Sequence, residues 1–231
     1  GSHEIGAKDI GEWGRFVRES TKMMHHVDPS ISLSAAALPD LDWNVNLLRN
    51  CAQRLEWISI HAYWDHIQNT NDLAPYDRCM SYTSELENDI KMVRGLLTAM
   101  GLEKKIKIAF DEWNLRGWYH PNIHTVHPGR TPEEYITPRD DNDLNASYTM
   151  ADAVFSACFI NTLLNNADII GMANFSPVVN TRGAIYTHPE GIVLRTTYHI
   201  FDMYANLMGD TVIDSWVQDV EPYSTIGRRG E

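Results

Sequence analysis

Asp111 and Glu112 stand side by side at the end of the run Lys105-Ile-Lys-Ile-Ala-Phe110, and Trp113, Trp118 and Tyr119 crowd in just behind them. A carboxylate can attack an anomeric carbon or move a proton, and flat aromatic faces stack on the C–H faces of sugars, so the combination points to carbohydrate chemistry. Neighbouring side chains on a strand point to opposite faces, so the two acids are expected to do different work, one toward the ligand and one toward the packed helices. The bland alternative is a strand-end cap, or an ion pair with Lys105 or Arg116. The preceding strand candidate, Leu55 to His66, ends in His61, Tyr63 and Trp64, which repeats the pattern of polar and aromatic groups.

Parallel α/β elements would deliver these residues. Asp9 precedes a helical pattern of Ile10, Trp13, Phe16, Val17 and Met24, and the breaker Asp28-Pro29 ends it. A short alternating strand is expected from Ser30 to Ala36, a helix over 42–55, and a helix over 81–100 closed by Gly101. Helices are also expected over 145–165 and 196–208, with a nearly continuous apolar strand over 169–175. Strands alternating with helices argue for a parallel sheet covered on both faces, whose sites form at the C-terminal ends of the strands. The first helix has no strand before it, so the chain is expected to begin in the middle of a fold. The long segment 120–143 carries Pro121, Pro128, Gly129, Pro132 and Pro138 and reads as an irregular loop that shapes a cleft.

Composition narrows the partners. The 231 residues are 43% hydrophobic, enough for one sizeable core, and no linker or low-complexity block divides them. A formal charge of −12 argues against nucleic acid or an anionic membrane and for a neutral or cationic ligand. Cys51, Cys79 and Cys158 are scattered, as expected of core thiols in a reduced protein. The longest mostly apolar stretch, 151–164, is interrupted by polar residues and too short to span a bilayer. No cofactor is expected. No metal site is expected either: His25 and His26 are adjacent, His3-Glu4 lacks a second His at position 7, and the acidic run 140–143 lacks the alternate spacing and glycine of a calcium loop. Asn145-Ala146-Ser147 is a formal glycosylation sequon, read here as a helix start.

The stretches "HVDPSI" (26–31), "ISIHAYW" (58–64), "FDEWN" (110–114), "WYH" (118–120) and "VVNTRGAI" (178–185) resemble glycoside hydrolase family 51. The resemblance runs from Gly1 through about Trp216. The characteristic members are retaining α-L-arabinofuranosidases, so it implies an α/β fold, the (β/α)8 TIM barrel, with catalytic glutamates ending strands 4 and 7 and a β-sandwich domain behind the barrel. The strands of this chain would then be strands 5–8, with residues 1–209 forming the C-terminal half of the barrel and 210–231 the start of the sandwich. Glu112 falls on the nucleophile and Tyr63 on an aromatic that hydrogen-bonds near it. His61, Trp118 and Asn180 fall on site-lining positions, and Trp64 completes the expected substrate-binding set.

The resemblance places the acid/base glutamate in an Asn-Glu pair just ahead of a segment like Gly1-Ser-His-Glu-Ile-Gly6, so it is expected to lie upstream of residue 1. Glu4 does not fill the role, because no Asn precedes it. Two further departures bear on substrate choice: the expansion at Leu115-Arg116-Gly117, and Pro177 where many relatives carry a Gln. The expected partner is a carbohydrate, with the other half of the barrel or a second copy as protein partners, and the expected location is cytoplasmic. Rival readings are an endoglucanase or xylosidase on the same barrel, or a catalytically incomplete fragment.

Overall fold

The computed structural model describes residues 6–64, 73–117, 145–213 and 226–228. Helix α1 spans Ile10–Val27 and opens on a capping box, in which Asp9 Oδ1 accepts from Glu12 N at 2.7 Å while Glu12 Oε2 accepts from Asp9 N at 3.1 Å. Asp28 then folds its carboxylate back onto Ser30 N at 2.8 Å, and this turn uses up the first residues of the expected strand. Strand β1 is therefore only Ser34–Ala36. Helix α2, Leu41–Cys51, is capped by Asp40 and packs on α1, burying Asn44, Leu47, Leu48 and Cys51. The buried Asn44 carboxamide donates to Leu38 O and accepts from Leu38 N, which fixes the chain between β1 and α2. A turn of 3-10 helix, Ala52–Arg54, takes the place of the last residues expected in α2.

Strands β2 (Trp57–Tyr63), β3 (Lys107–Asn114) and β4 (Ile170–Phe175) join β1 in one sheet of order β1-β2-β3-β4. β1 and β2 run parallel, from Ser34 opposite Trp57 to Ala36 opposite Ser59. Ile58, Ser59 and Ile60 are buried in succession, as are Ile108, Ala109 and Phe110, so both faces of these strands are covered. Helix α3, Leu73–Ala99, closes in a Schellman motif: Leu102 N donates to Leu97 O, Gly101 N donates to Thr98 O, and Gly101 takes φ +67. The architecture is α/β with a parallel sheet, as expected.

The chain forms two compact units. The first contains residues Gly1–His61, Glu87–Glu112 and Ala167–Asn174, with α1, α2 and the bodies of the strands. The second contains Ala62–Leu86, Trp113–Asn166 and Phe175–Glu231. Within the second, helix α4 (Met150–Asn165) begins at a Thr149/Asp152 capping box after a 3-10 turn at Asn145–Ser147. Helix α5 spans Thr196–Leu207 and packs on α4. The core of this unit is aromatic: Trp113 stacks on Phe159 at 4.1 Å and meets Phe175 edge-on at 5.1 Å. The antiparallel pair β5 (Ile185–His188) with β6 (Gly191–Leu194) was not expected from the sequence, and a second pair, β7 (Thr211–Ile213) with β8 (Ile226–Arg228), lies in the segment expected to begin a β-sandwich.

Candidate active site

Both acids lie in β3 between the buried Ile108, Ala109 and Phe110 and the buried Trp113 and Asn114, with side chains 34% and 43% exposed. Buried apolar residues hold the strand behind them. His61, on β2 in the same unit, reaches both carboxylates, with Nε2 at 3.4 Å from Asp111 Oδ1 and Nδ1 at 3.5 Å from Glu112 Oε2. Asp111 Oδ1 also accepts a hydrogen bond from Ser59 Oγ at 2.6 Å. Strict strand alternation would part the two acids completely, yet one imidazole meets both within β3, which runs on to Asn114. Neither cation suggested by the bland reading is found there: Arg116 pairs with Asp152 at 2.7 Å, and Lys105 Nζ donates to Ala52 O at 2.7 Å.

Tyr63, Trp64 and Asn180 belong to the second unit. Tyr63 lies under the Arg182 guanidinium, 5.2 Å from its carbon. The half-buried indole of Trp64 stacks on Tyr82, meets Phe155 and Phe159 edge-on, and donates its N–H to Glu85 at 2.9 Å. Asn180 takes the left-handed conformation at φ +58, and its carboxamide oxygen accepts from both Thr187 N and Thr187 Oγ at 2.8 Å, bracing the turn before β5. Trp118, Tyr119 and the loop 120–143 lie outside the described residues.

Trp113 corrects one expectation. It is only 1% exposed and is part of the aromatic core, so it presents no face to a sugar. Asn114 and Leu115 after it are buried as well. The sequon at Asn145 is likewise engaged internally, because Asn145 Oδ1 accepts from Arg195 Nε at 2.8 Å and Ser147 binds the Arg116 guanidinium. Ser59 had not been singled out. A lone polar residue two positions before His61 in an apolar run was its only signal.

Among the described residues no group of three or more His, Cys, Asp or Glu is arranged to hold a metal ion, and no helix is long and apolar enough to cross a membrane. Burial pushes the Cys51 thiol up to about 11 and raises that of Cys158.

The fold is α/β with a parallel sheet, and two neighbouring acids lie near the end of its strand β3. The model of the family described as alpha-L-arabinofuranosidase C-terminal domain matches residues 111–230, more than half of the chain, and begins at Asp111 itself. The chain belongs to that family. It is 29% identical over 219 residues to the intracellular exo-alpha-(1->5)-L-arabinofuranosidase 1 of Bacillus subtilis (strain 168), a match covering 90% of this chain and 41% of that protein. It is 27% identical over 224 residues to the intracellular exo-alpha-(1->5)-L-arabinofuranosidase of Acetivibrio thermocellus, covering 92% of this chain and 42% of that protein. Among solved structures, the alpha-L-arabinofuranosidase from Thermotoga maritima, crystallised as an arabinose complex, superposes with a TM-score of 0.73 at 27% identity, over 93% of this chain and 39% of that one. The chain thus spans about two fifths of the length of these relatives.

Proposed function

We propose that this chain carries the nucleophile of a retaining α-L-arabinofuranosidase, and that Glu112 is that nucleophile. The observation that carries the reading is the position of Glu112: a half-exposed carboxylate, held by a buried parallel strand and met by an imidazole, within the segment where the family match begins. In this reading, residues 1–209 form strands 5–8 of a (β/α)8 barrel and residues 210–231 begin a β-sandwich. His61, Tyr63, Trp64, Trp118 and Asn180 line or support the sugar site.

The chemistry follows from the carboxylate. An oxygen of ionised Glu112 forms a bond to the anomeric carbon as the bond from that carbon to the leaving oxygen breaks. A second carboxyl, about 5 Å away in retaining enzymes, gives the departing oxygen its proton and later takes one from water, which releases the sugar and restores Glu112. No residue of this chain is assigned to that second role. The substrate class is the arabinose-containing oligo- or polysaccharide, and the cytoplasm is the location that the relatives' names favour. Glu112→Gln in the full chain tests the assignment: release of dinitrophenolate from dinitrophenyl α-L-arabinofuranoside, which needs no acid, should disappear while the circular dichroism spectrum is kept, and retained release would refute it.

A further inference from the structure

Ser59, His61, Asp111 and Glu112 form a connected row inside the first unit. Ser59 and His61 are two residues apart on β2 and therefore share a face. Ser59 Oγ donates to Asp111 Oδ1 at 2.6 Å, and that same oxygen lies 3.4 Å from His61 Nε2. The other ring nitrogen, Nδ1, lies 3.5 Å from Glu112 Oε2. The geometry points to Asp111, pinned by Ser59, as a positioning residue that acts on Glu112 through His61. The inference rests on the reading of Glu112 as the nucleophile.

The physical case begins with the aim of the nucleophile. Glu112, with 43% of its side chain exposed, must aim an oxygen at the anomeric carbon, and only some glutamate rotamers do so. An imidazole placed against Oε2 restricts that choice, but only if the ring itself is fixed. Asp111 fixes it: turning the ring over would take Nε2 away from Oδ1, so the contact at Nε2 keeps Nδ1 toward Glu112. Ser59 in turn is buried in β2 and holds the Asp111 carboxylate with the shortest bond of the row.

The donor inventory shows why an acid is needed at 111. A ring with hydrogen on both nitrogens offers one donor to each carboxylate, and a neutral ring offers a donor to one and a lone pair to the other. During the reaction Glu112 exchanges its charge for an ester bond to the sugar and regains it on hydrolysis. Asp111 forms no bond to the sugar, so His61 retains one fixed acceptor while the other changes. Distances of 3.4 and 3.5 Å leave room for both contacts to shorten once substrate is bound. No proton or electron pair passes through Asp111 in this scheme.

Asp111→Asn, which keeps the shape but replaces the carboxylate that faces both Ser59 and His61 by an uncharged amide whose oxygen is a weaker acceptor, is the variant to make in the full chain. With dinitrophenyl α-L-arabinofuranoside, whose leaving group needs no acid, kcat/KM reports the attack by Glu112. It should fall about 10²-fold, the cost of misplacing a reacting group by roughly an ångström, while arabinose binding and Tm stay at wild-type values. Ser59→Ala should show a smaller deficit in the same direction, and Ser59→Thr, which retains the hydroxyl, should restore the rate. A wild-type kcat/KM in Asp111→Asn would overturn the inference. If that variant does not fold, equal rates for wild type, Ser59→Ala and Ser59→Thr would overturn it instead. Glu112→Gln measured alongside separates the two claims: full turnover there sinks the nucleophile assignment, whereas an inactive Glu112→Gln beside an undiminished Asp111→Asn sinks only the positioning role.

Discussion

Arg116 and Asp152 form a two-pronged ion pair in the interior of the second unit: Nε meets Oδ1 at 2.7 Å and Nη2 meets Oδ2 at 3.1 Å, with the side chains 1% and 4% exposed. The Tyr148 ring lies 3.7 Å from the Arg116 guanidinium carbon, and Ser147 takes two more of its hydrogens. Asp152 is also the reciprocal member of the capping box that starts α4, accepting from Thr149 N at 2.9 Å. Removing the acid breaks both prongs of this buried pair, and losing one member of a buried ion pair costs about 3–5 kcal/mol. Asp152→Ala should therefore lower stability by that order in a denaturant titration of the full chain, whereas a change under about 1 kcal/mol would show that the pair is dispensable.

Gly183 makes a comparable demand through the backbone. A Cβ at this position would lie 2.4 Å from Val178 O and 2.6 Å from Val179 N, atoms that a turn cannot move aside. Gly183 N donates to Asn180 O at 2.5 Å, and Gly183 O accepts from the buried Arg195. Gly183→Ala should cost roughly 1–3 kcal/mol, the usual range for overpacking, read as a drop in Tm. An unchanged Tm would mean that the turn can open without loss.

Cys51 predicts a pH dependence. It is fully buried at the end of α2, its Sγ–H donates to Leu47 O, and burial pushes the thiol up to about 11. An unfolded cysteine ionises near 8.5, so with rising pH the unfolded chain loses this proton first. The contribution to stability is complete below about pH 8.5 and is lost as pH climbs toward the folded value. Alkylation of Cys51 by iodoacetamide at pH 9 should accordingly be slow in the native protein and rapid in urea. Equal rates in both would contradict the buried placement.

The elements most legible in the sequence were those whose signal is local. Asp9 and Glu12 announce the start of α1, Gly101 announces the end of α3, and the apolar runs into His61 and Glu112 announce buried strands, since each depends on chemistry within a few residues. Pairings that depend on distant partners were not legible. The β5–β6 hairpin reads as a His-Pro-Glu-Gly turn, but both of its strands are short and β6 is exposed along its whole length, so no core pattern marks it. Arg116 lies in an apparent loop expansion, and only its burial against Asp152 on α4 reveals it as a fixed point of the second unit. In the candidate site the order was similar. Glu112 was apparent from its motif and His61 from its strand, but the link from Ser59 through Asp111 required the register of β2 against β3.

The measurement that bears most directly on the central claim is intact-mass spectrometry of the full chain after reaction with dinitrophenyl α-L-arabinofuranoside. The leaving group departs without an acid, so the first step needs only the nucleophile. The account predicts a pentosyl adduct that maps to Glu112 after digestion and that is absent from Glu112→Gln. An adduct on another carboxylate, or none in a folded sample that turns the substrate over, would contradict it.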